Sequence, residues 1–518
     1  MAVKITYATM SADNEELNQA YEKAVDEARS KLGQTFPVIV NGEERTDREL
    51  YEELSPIDSD IVVARYAQGT IQDVDDAVAA AKAFTREWEA WGWEKRRDLM
   101  LRAADIMDSQ IYDIAALMSF EIGKNRLEAL GDVAETVEFF RYYSEQITER
   151  DGFVTPLKDQ GREDNVSVLR PWGVWVVVSP FNFPMALAAG PSIAALLTGN
   201  TVIIKPSNTG ALMALEFYRV MREAGLPKEA LHILTGRGSE IGDYLTHHDD
   251  IDGLTFTGSY EVGMDLYRTV AEKRPKPVAA EMGGKNPAVV TASADLDTAV
   301  EGIVRGAFGL SGQKCSATSR VYVEDDVYDE FVDKLVARTD QIVVGEPTQP
   351  NVFMGPVIDQ GAVARFKKAV TEATDSGGQV LAGGEVIEDG DLARGNFVQP
   401  TVVTAPRDSW IWKEELFVPF LSVMPVEDLE EGLRLANDTE FGLTAGLFSG
   451  DEDEIERWFE GIQAGVTYVN RAAGATTGAW PDVQSFGGWK GSGTSGAGGG
   501  GPWYLRQYLR EQSRTVVR

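Results

Sequence analysis

The stretch VWVVVSPFNFPMALAAGPSIAALLTGNTVIIKPSN, residues 174–208, decides the fold. It opens on an apolar run, breaks at Pro180-Phe-Asn-Phe-Pro184, crosses an Ala- and Leu-rich segment and enters a second β-branched run after Gly199-Asn200. Val174–Ser179 reads as a buried strand, Met185–Leu197 as a helix and Thr201–Lys205 as the next strand. A strand, a helix and a strand in so short a span form the crossover that sets two strands parallel in one sheet. The alternation continues outward. Ala211–Ala224 reads as a helix, His232–Thr235 as a strand, Gly238–Thr246 as a helix and Gly253–Thr257 as a further strand. The fold class is therefore α/β, with a doubly wound, Rossmann-like parallel sheet whose ligand site lies at the carboxyl ends of its strands.

Upstream, residues 36–66 alternate short apolar runs with Asn-Gly and Ser-Pro turn signals and read as strands, and from Ile71 to about Glu149 the apolar spacing is helical. Downstream, a second alternating unit runs from about Asn286 to Val469. The glycine-rich GGWKGSGTSGAGGGGPW, residues 487–503, reads as loop, and LRQYLREQSRTVVR supplies a last strand. With 518 residues the chain exceeds one compact core, so two or three domains are expected.

Asp and Glu number 82 against 49 Lys and Arg, a formal net charge of −33, and the acids are spread along the whole chain. Such a surface repels nucleic acid and anionic membranes, so neither is an expected partner. Diffuse acidity with Arg outnumbering Lys points to adaptation to high salt, where counterions screen self-repulsion. No apolar run is long enough for a membrane span, and the N-terminus lacks a basic start followed by an apolar stretch. A cytoplasmic protein is the expectation, and a single cysteine, Cys315, fits a reducing compartment.

A lone cysteine is most simply a small buried hydrophobe. Here it follows a small-residue turn, GLSGQKCSATS, where backbone amides could steady a thiolate. Glu281, where a strand meets Gly-Gly, could serve as a general base, or be only a strand-end charge. Asn182 in PFNFP could donate to an oxyanion, or only form the turn. The histidines, His232, His247 and His248, accompany no Cys or carboxylate at ligand spacing, so no metal site is expected.

PFNFP, IIKPS, FTGSYEVG, EMGGKNP, GQKCSA and EELF occur in that order, with Asn182 23 positions before Lys205 and Glu281 34 before Cys315. In this the chain resembles the aldehyde dehydrogenase superfamily. The resemblance implies Cys315 as nucleophile, Glu281 as deacylating base and Asn182 as oxyanion donor. It also implies an NAD(P) cofactor, with Lys205 and Ser207 at the adenosine ribose, Gly258, Ser259 and Gly263 at the pyrophosphate, and Glu415 and Phe417 at the nicotinamide end. Asn208 stands where many NAD-specific members carry Glu; NAD is expected, with NADP not excluded, since an amide does not repel a 2′-phosphate. Val418 replaces a common Gly.

The implied domains are a cofactor domain (1–152 and 171–283), a catalytic domain (284–485) and an oligomerisation flap with a C-terminal strand (153–170 and 486–518), in a homodimer or larger even homo-oligomer. Near the C-terminus, NR…TTGAWPDVQSFGGWKGSGTSGAGGGGPWYL is similar to the L-glutamate γ-semialdehyde dehydrogenases. That similarity implies Gly478, Ala479 and Ser316 at the substrate carboxylate, Glu128 at its ammonium, and Phe183 and Phe486 about its aliphatic part. The anchor loop departs from the pattern: Ala-Ala-Gly-Ala-Thr between Arg471 and Thr477 is about three residues longer than expected, and Ser485 stands in place of Pro. Two other readings stay open: a dehydrogenase for another aldehyde such as succinate semialdehyde, and an inactive NAD-binding scaffold.

Overall fold

The computed structural model describes residues 14–518; the sequence test for a leader falls largely on residues before these. One sheet consists of β1 (Val38–Val40), β2 (Glu43–Arg45), β3 (Val174–Ser179), β4 (Thr201–Pro206), β5 (Leu231–Ile233), β6 (Gly253–Thr257) and β7 (Val278–Glu281). Their spatial order is β7-β6-β3-β4-β5-β1-β2. β7 to β5 run parallel, while β1 and β2 add an antiparallel edge. The apolar residues of β3 and β4 are buried on both faces, as strands covered by helices require.

Register matters more than the strand list. Ser179 pairs with Pro206, Phe256 with Val178, and Thr257 with Glu281, so β3, β4, β6 and β7 end on one edge. That edge carries Asn182, Lys205, Gly258 and Glu281 as the chain leaves its strands.

A second seven-stranded sheet consists of β8 (Asn286–Val290), β9 (Thr318–Glu324), β10 (Gln379–Ala382), β11 (Thr401–Thr404), β12 (Phe420–Val426), β13 (Thr444–Phe448) and β14 (Val466–Val469). Its order is β10-β11-β12-β9-β8-β13-β14, parallel except for β10. A three-stranded antiparallel flap joins Val154–Pro156, Glu163–Pro171 and the C-terminal Leu509–Val517, which pairs with Glu163–Pro171 along its whole length. A smaller sheet unites Gln34–Phe36, Val62–Ala67 and Leu50–Leu54.

Four helices fill the segment read as helical: Ile71–Ala90, Trp93–Ser109, Ile111–Ile122 and Arg126–Glu149. Thr70 and Asp73 cap the first reciprocally, and Asn125 caps the last by accepting from the Glu128 amide. Two elements differ from the sequence expectation. A helix at Glu15–Lys31 packs Leu17, Tyr21, Ala24 and Ala28 inward, and Gly238–Thr246 starts as a wide π-turn before a short helix at Asp243–Thr246. Glycines at both ends of that turn weaken the α-helical preference. No helix among the described residues is long and apolar enough to cross a membrane.

Candidate active site

Cys315 sits seven residues beyond the end of the helix Leu296–Phe308, in a loop that the backbone itself would resist. Leu310, Ser311 and Gly312 are consecutively left-handed, with φ of 48°, 55° and 68°. For the two residues with side chains that conformation costs about 1–2 kcal/mol each, so something must hold it. Ser311 Oγ donates to the Gly355 carbonyl (2.8 Å), the Leu310 amide to Glu128 Oε2 (2.9 Å), and the Ile358 amide to Gln313 Oε1 (2.8 Å). Gly312 has no alternative residue: a β-carbon there would lie 2.3 Å from the Val418 carbonyl oxygen. Beyond the nucleophile, Asn286 Nδ2 donates to the carbonyls of Cys315 (2.7 Å) and Ala317 (2.9 Å).

Cys315 and Glu281 line one cleft. Burial, with the Glu415 and Glu281 carboxylates near, pushes the Cys315 thiol up to about 12. Burial likewise pushes Glu281 up to about 8, offset only by one hydrogen bond from the Gly488 amide at 3.2 Å. The pair is therefore predominantly neutral at pH 7, and a cation beside Cys315 would favour the thiolate. Asn182 is buried and its Nδ2 donates to the Gln313 carbonyl at 2.9 Å, two residues before the nucleophile. The remaining amide hydrogen is available to an oxyanion near Cys315.

The same cleft is lined by Glu128, Phe183, Ser316, Thr477, Ala479 and Phe486. Glu128 is not a solitary anion. Its Oε1 pairs with Lys314 at 2.6 Å, the residue preceding the nucleophile, while Oε2 takes the Leu310 amide. Lys314 escaped the sequence reading because its partner lies 186 positions away; only its place in GQKCSA could have flagged it. Another residue missed there is Lys124, which is fully buried, pairs with Asp132 at 2.7 Å and lies 3.7 Å over the Phe183 ring. Asp132 also accepts from the Ala186 amide, so this pair fixes the ring that flanks the cleft.

Gly478 is half-buried in the anchor loop beside the cleft, and both amides expected to face a carboxylate have partners. Gly478 N–H donates to Gln484 Oε1 (2.9 Å) and Ala479 N–H to Thr477 Oγ1 (3.2 Å). Both acceptors are side chains that can turn away, so an incoming carboxylate has to compete for these donors.

The cofactor candidates gather on the edge where the strands of the first sheet end. Lys205 is buried, donates to the Pro206 carbonyl at 2.9 Å, and is lowered to about 8 by burial. Asn208 Oδ1 is a buried acceptor with no hydrogen-bond partner, which a ribose hydroxyl would satisfy. Ser259 precedes the helix Tyr260–Thr269 without capping it through its side chain, so first-turn amides remain for an anion. Gly263 keeps that helix close to β7, since a β-carbon there would lie 2.5 Å from Met282 Sδ. Glu415 Oε1 accepts from the Gly284 amide at 3.0 Å, and Glu415 lies so close to Gly283 that a β-carbon would fall 2.1 Å from its Oε2. Phe417, with φ of 56°, sets its ring edge-on to Phe181 at 5.8 Å. A buried unsatisfied acceptor, open helix amides and a carboxylate near the thiol fit a dinucleotide lying between the two sheets.

The histidines stand apart. His232 is buried, accepts from the Asn41 amide and is lowered to about 4, while His247 and His248 face Asp243 and Asp75 near the surface. Among the described residues no cluster of His, Cys, Asp and Glu has the makings of a metal site.

The sequence pattern of the aldehyde dehydrogenase family matches residues 43–514. A 1-pyrroline-5-carboxylate dehydrogenase 2 of Halalkalibacterium halodurans is 39% identical over 509 residues, 97% of this chain and 96% of the relative. A 1-pyrroline-5-carboxylate dehydrogenase of a Geobacillus species is 38% identical over 505 residues, 96% of each chain. Among solved structures, a 1-pyrroline-5-carboxylate dehydrogenase from Thermus with bound NAD superposes with a TM-score of 0.94 at 33% identity, covering 100% of both chains.

Proposed function

The chain belongs to the aldehyde dehydrogenase family, and on that premise we propose that it oxidises L-glutamate 5-semialdehyde, in equilibrium with 1-pyrroline-5-carboxylate, to L-glutamate with NAD. One observation carries the substrate. A single cleft is lined by Cys315 and Glu281 together with the carboxylate of Glu128, the rings of Phe183 and Phe486, and Thr477 and Ala479 of the anchor loop. Those groups complement an ammonium, an aliphatic chain and a carboxylate in turn.

In the mechanism, Cys315 Sγ attacks the aldehyde carbon and the carbonyl becomes an oxyanion. Asn182 Nδ2 and the Cys315 amide donate to it; losing one such donor costs roughly 10²–10³ in kcat. A nicotinamide ring held beside Glu415 and Phe417 would supply the hydride acceptor and a positive charge that favours the thiolate. With the carbon–hydrogen bond broken, the substrate is a thioester on Cys315. Glu281, in its ionised form, takes a proton from water, the hydroxide adds to the thioester carbonyl, and the acid departs as the thiolate is restored.

Lys205, Ser207 and Asn208 would hold the adenosine ribose, the Gly258–Gly263 turn the pyrophosphate, and Glu415 and Phe417 the nicotinamide end. Asn208 leaves NADP as a second acceptable oxidant. Assembly into a homodimer or larger even homo-oligomer is supported by the flap, whose C-terminal strand lies at a sheet edge with Val516 and Val517 53% and 70% exposed. The cytoplasm is the expected compartment.

The test is initial-rate kinetics with 1-pyrroline-5-carboxylate, succinate semialdehyde and plain alkanals, with NAD and NADP compared. The expected result is the highest kcat/KM with 1-pyrroline-5-carboxylate and NAD. Equal values for aldehydes lacking the amino group would remove the substrate assignment and leave the family chemistry.

A further inference from the structure

The anchor loop contains a cation that the proposed mechanism does not use. Asn470, left-handed at φ 53° and tied to Ser449 through both ends of its side-chain amide, turns the chain off β14 and delivers Arg471 beneath the loop. Gly478 packs directly on the guanidinium. A β-carbon on Gly478 would stand 3.2 Å from Arg471 Nη1 and 3.5 Å from Cζ.

Arg471 is half-buried, and its Nε is sealed from solvent with no hydrogen-bond partner. Arg45 pairs with Asp73 at 2.7 Å and Arg338 with Glu301 at 2.8 Å, while the buried Arg96 and Arg320 donate to backbone carbonyls instead of carboxylates. Arg471 has no carboxylate partner among the described residues; the neighbour that acts on it electrostatically is the Tyr468 phenol. In a chain with 82 acidic against 49 basic side chains, a guanidinium free of acids is a net positive charge that nothing local cancels. It lies against the Gly478–Ala479 turn, whose amides now donate to Gln484 and Thr477 side chains.

We propose that Arg471 is a specificity-determining residue. Its charge, lying under the Gly478–Ala479 turn, makes the cleft favour aldehydes that carry a carboxylate over neutral aldehydes of the same length. The Gln484 side chain, which accepts from the Gly478 amide and donates to the Thr467 carbonyl at 3.2 Å, holds the turn in place against the guanidinium. The inference rests on the Gly478–Ala479 turn being the carboxylate end of the substrate site.

The experiment compares kcat/KM for 5-oxopentanoate and pentanal, at saturating NAD, in wild type, Arg471→Met and Arg471→Lys. Using the ratio of the two substrates within one preparation removes any loss of folded protein. The wild type is expected to prefer 5-oxopentanoate. Arg471→Met is expected to shrink that preference by roughly 10-fold to 100-fold, the range for a charge several ångströms away in a partly screened site, while kcat for pentanal is unchanged and Arg471→Lys keeps most of the preference. Glutarate, which does not react, is expected to raise the melting temperature of wild type more than that of Arg471→Met. An unchanged ratio in Arg471→Met, or equal losses on both substrates, overturns the inference with the substrate reading intact. A wild type indifferent to the carboxylate overturns the reading of the site and the inference together.

Discussion

The loop that carries Cys315 and the anchor loop are built on opposite terms. Residues 309–317 include three consecutive left-handed residues, and Glu128, Gly355, Ile358 and Asn286 hold the loop from outside. Residues 471–484 are held mainly by their own side chains: Thr477 and Gln484 take the turn amides, and the Thr476 hydroxyl reaches the Gly306 carbonyl at 3.2 Å. The lesson is a division of labour. Attack on a carbonyl tolerates little error in nucleophile position, so strain is stored there and over-determined. A recognition loop can be adjustable, and its substrate range can change without disturbing the chemistry.

The comparison breaks most visibly at Gly312. Gly312→Ala combines a positive φ with a clash against the Val418 backbone, and is expected to lower stability by about 2–3 kcal/mol. Turnover of every aldehyde should fall together, read by thermal melts and by rates on two unlike substrates. An unaltered melt would mean that the loop is not under the tension described.

The chemistry at the nucleophile should also carry its own pH signature. Glu281 is held at about 8 and serves as base only when ionised. Where deacylation limits, kcat is expected to rise about tenfold per pH unit well below 8 and to flatten above it. The same profile should appear with every aldehyde, because the anchor loop plays no part in that step.

Gly478→Ala is the counterpart at the other loop. The side chain it meets is the flexible end of Arg471, so the fold should tolerate it. The expected outcome is a rise of roughly 5-fold in KM for carboxylate-bearing substrates, about 1 kcal/mol, with the melting temperature and the rate on pentanal unaltered. A large stability loss would erase the contrast between the loops.

The smallest effect concerns neither loop. With a net charge of −33, the fold should gain melting temperature as potassium chloride is raised toward molar concentrations. The gain should be equal in wild type and Gly478→Ala. A protein indifferent to salt would show that its acidity has no bearing on stability.

Much of this was legible in the sequence, for physical reasons. β3 and the Val202–Ile204 run of β4 announce themselves because a strand covered on both faces is apolar over consecutive residues. Cys315, Glu281 and Asn182 each stand where a regular element breaks, but only the order and spacing of the motifs around them singled them out as candidates. Other features were not legible. The Glu128–Lys314 and Lys124–Asp132 pairs join charges whose partners no local pattern specifies. The partners of the Gly478 and Ala479 amides depend on how the inserted loop closes, which neither spacing nor composition encodes. The helix Glu15–Lys31 was overlooked although Leu17, Tyr21, Ala24 and Ala28 have helical spacing, because a segment so rich in charge offers a thin apolar stripe.

The central claim is a thioester on Cys315 that Glu281 helps to hydrolyse. Its most direct test is intact-protein mass spectrometry of Glu281→Gln after mixing with L-glutamate 5-semialdehyde and NAD, with NADH followed in parallel. The account predicts close to one NADH per active site, then arrest, with the protein heavier by one glutamyl acyl group that maps to Cys315 and is absent from Cys315→Ala. Sustained turnover near the wild-type rate, or a burst of NADH with no adduct on Cys315, would contradict it.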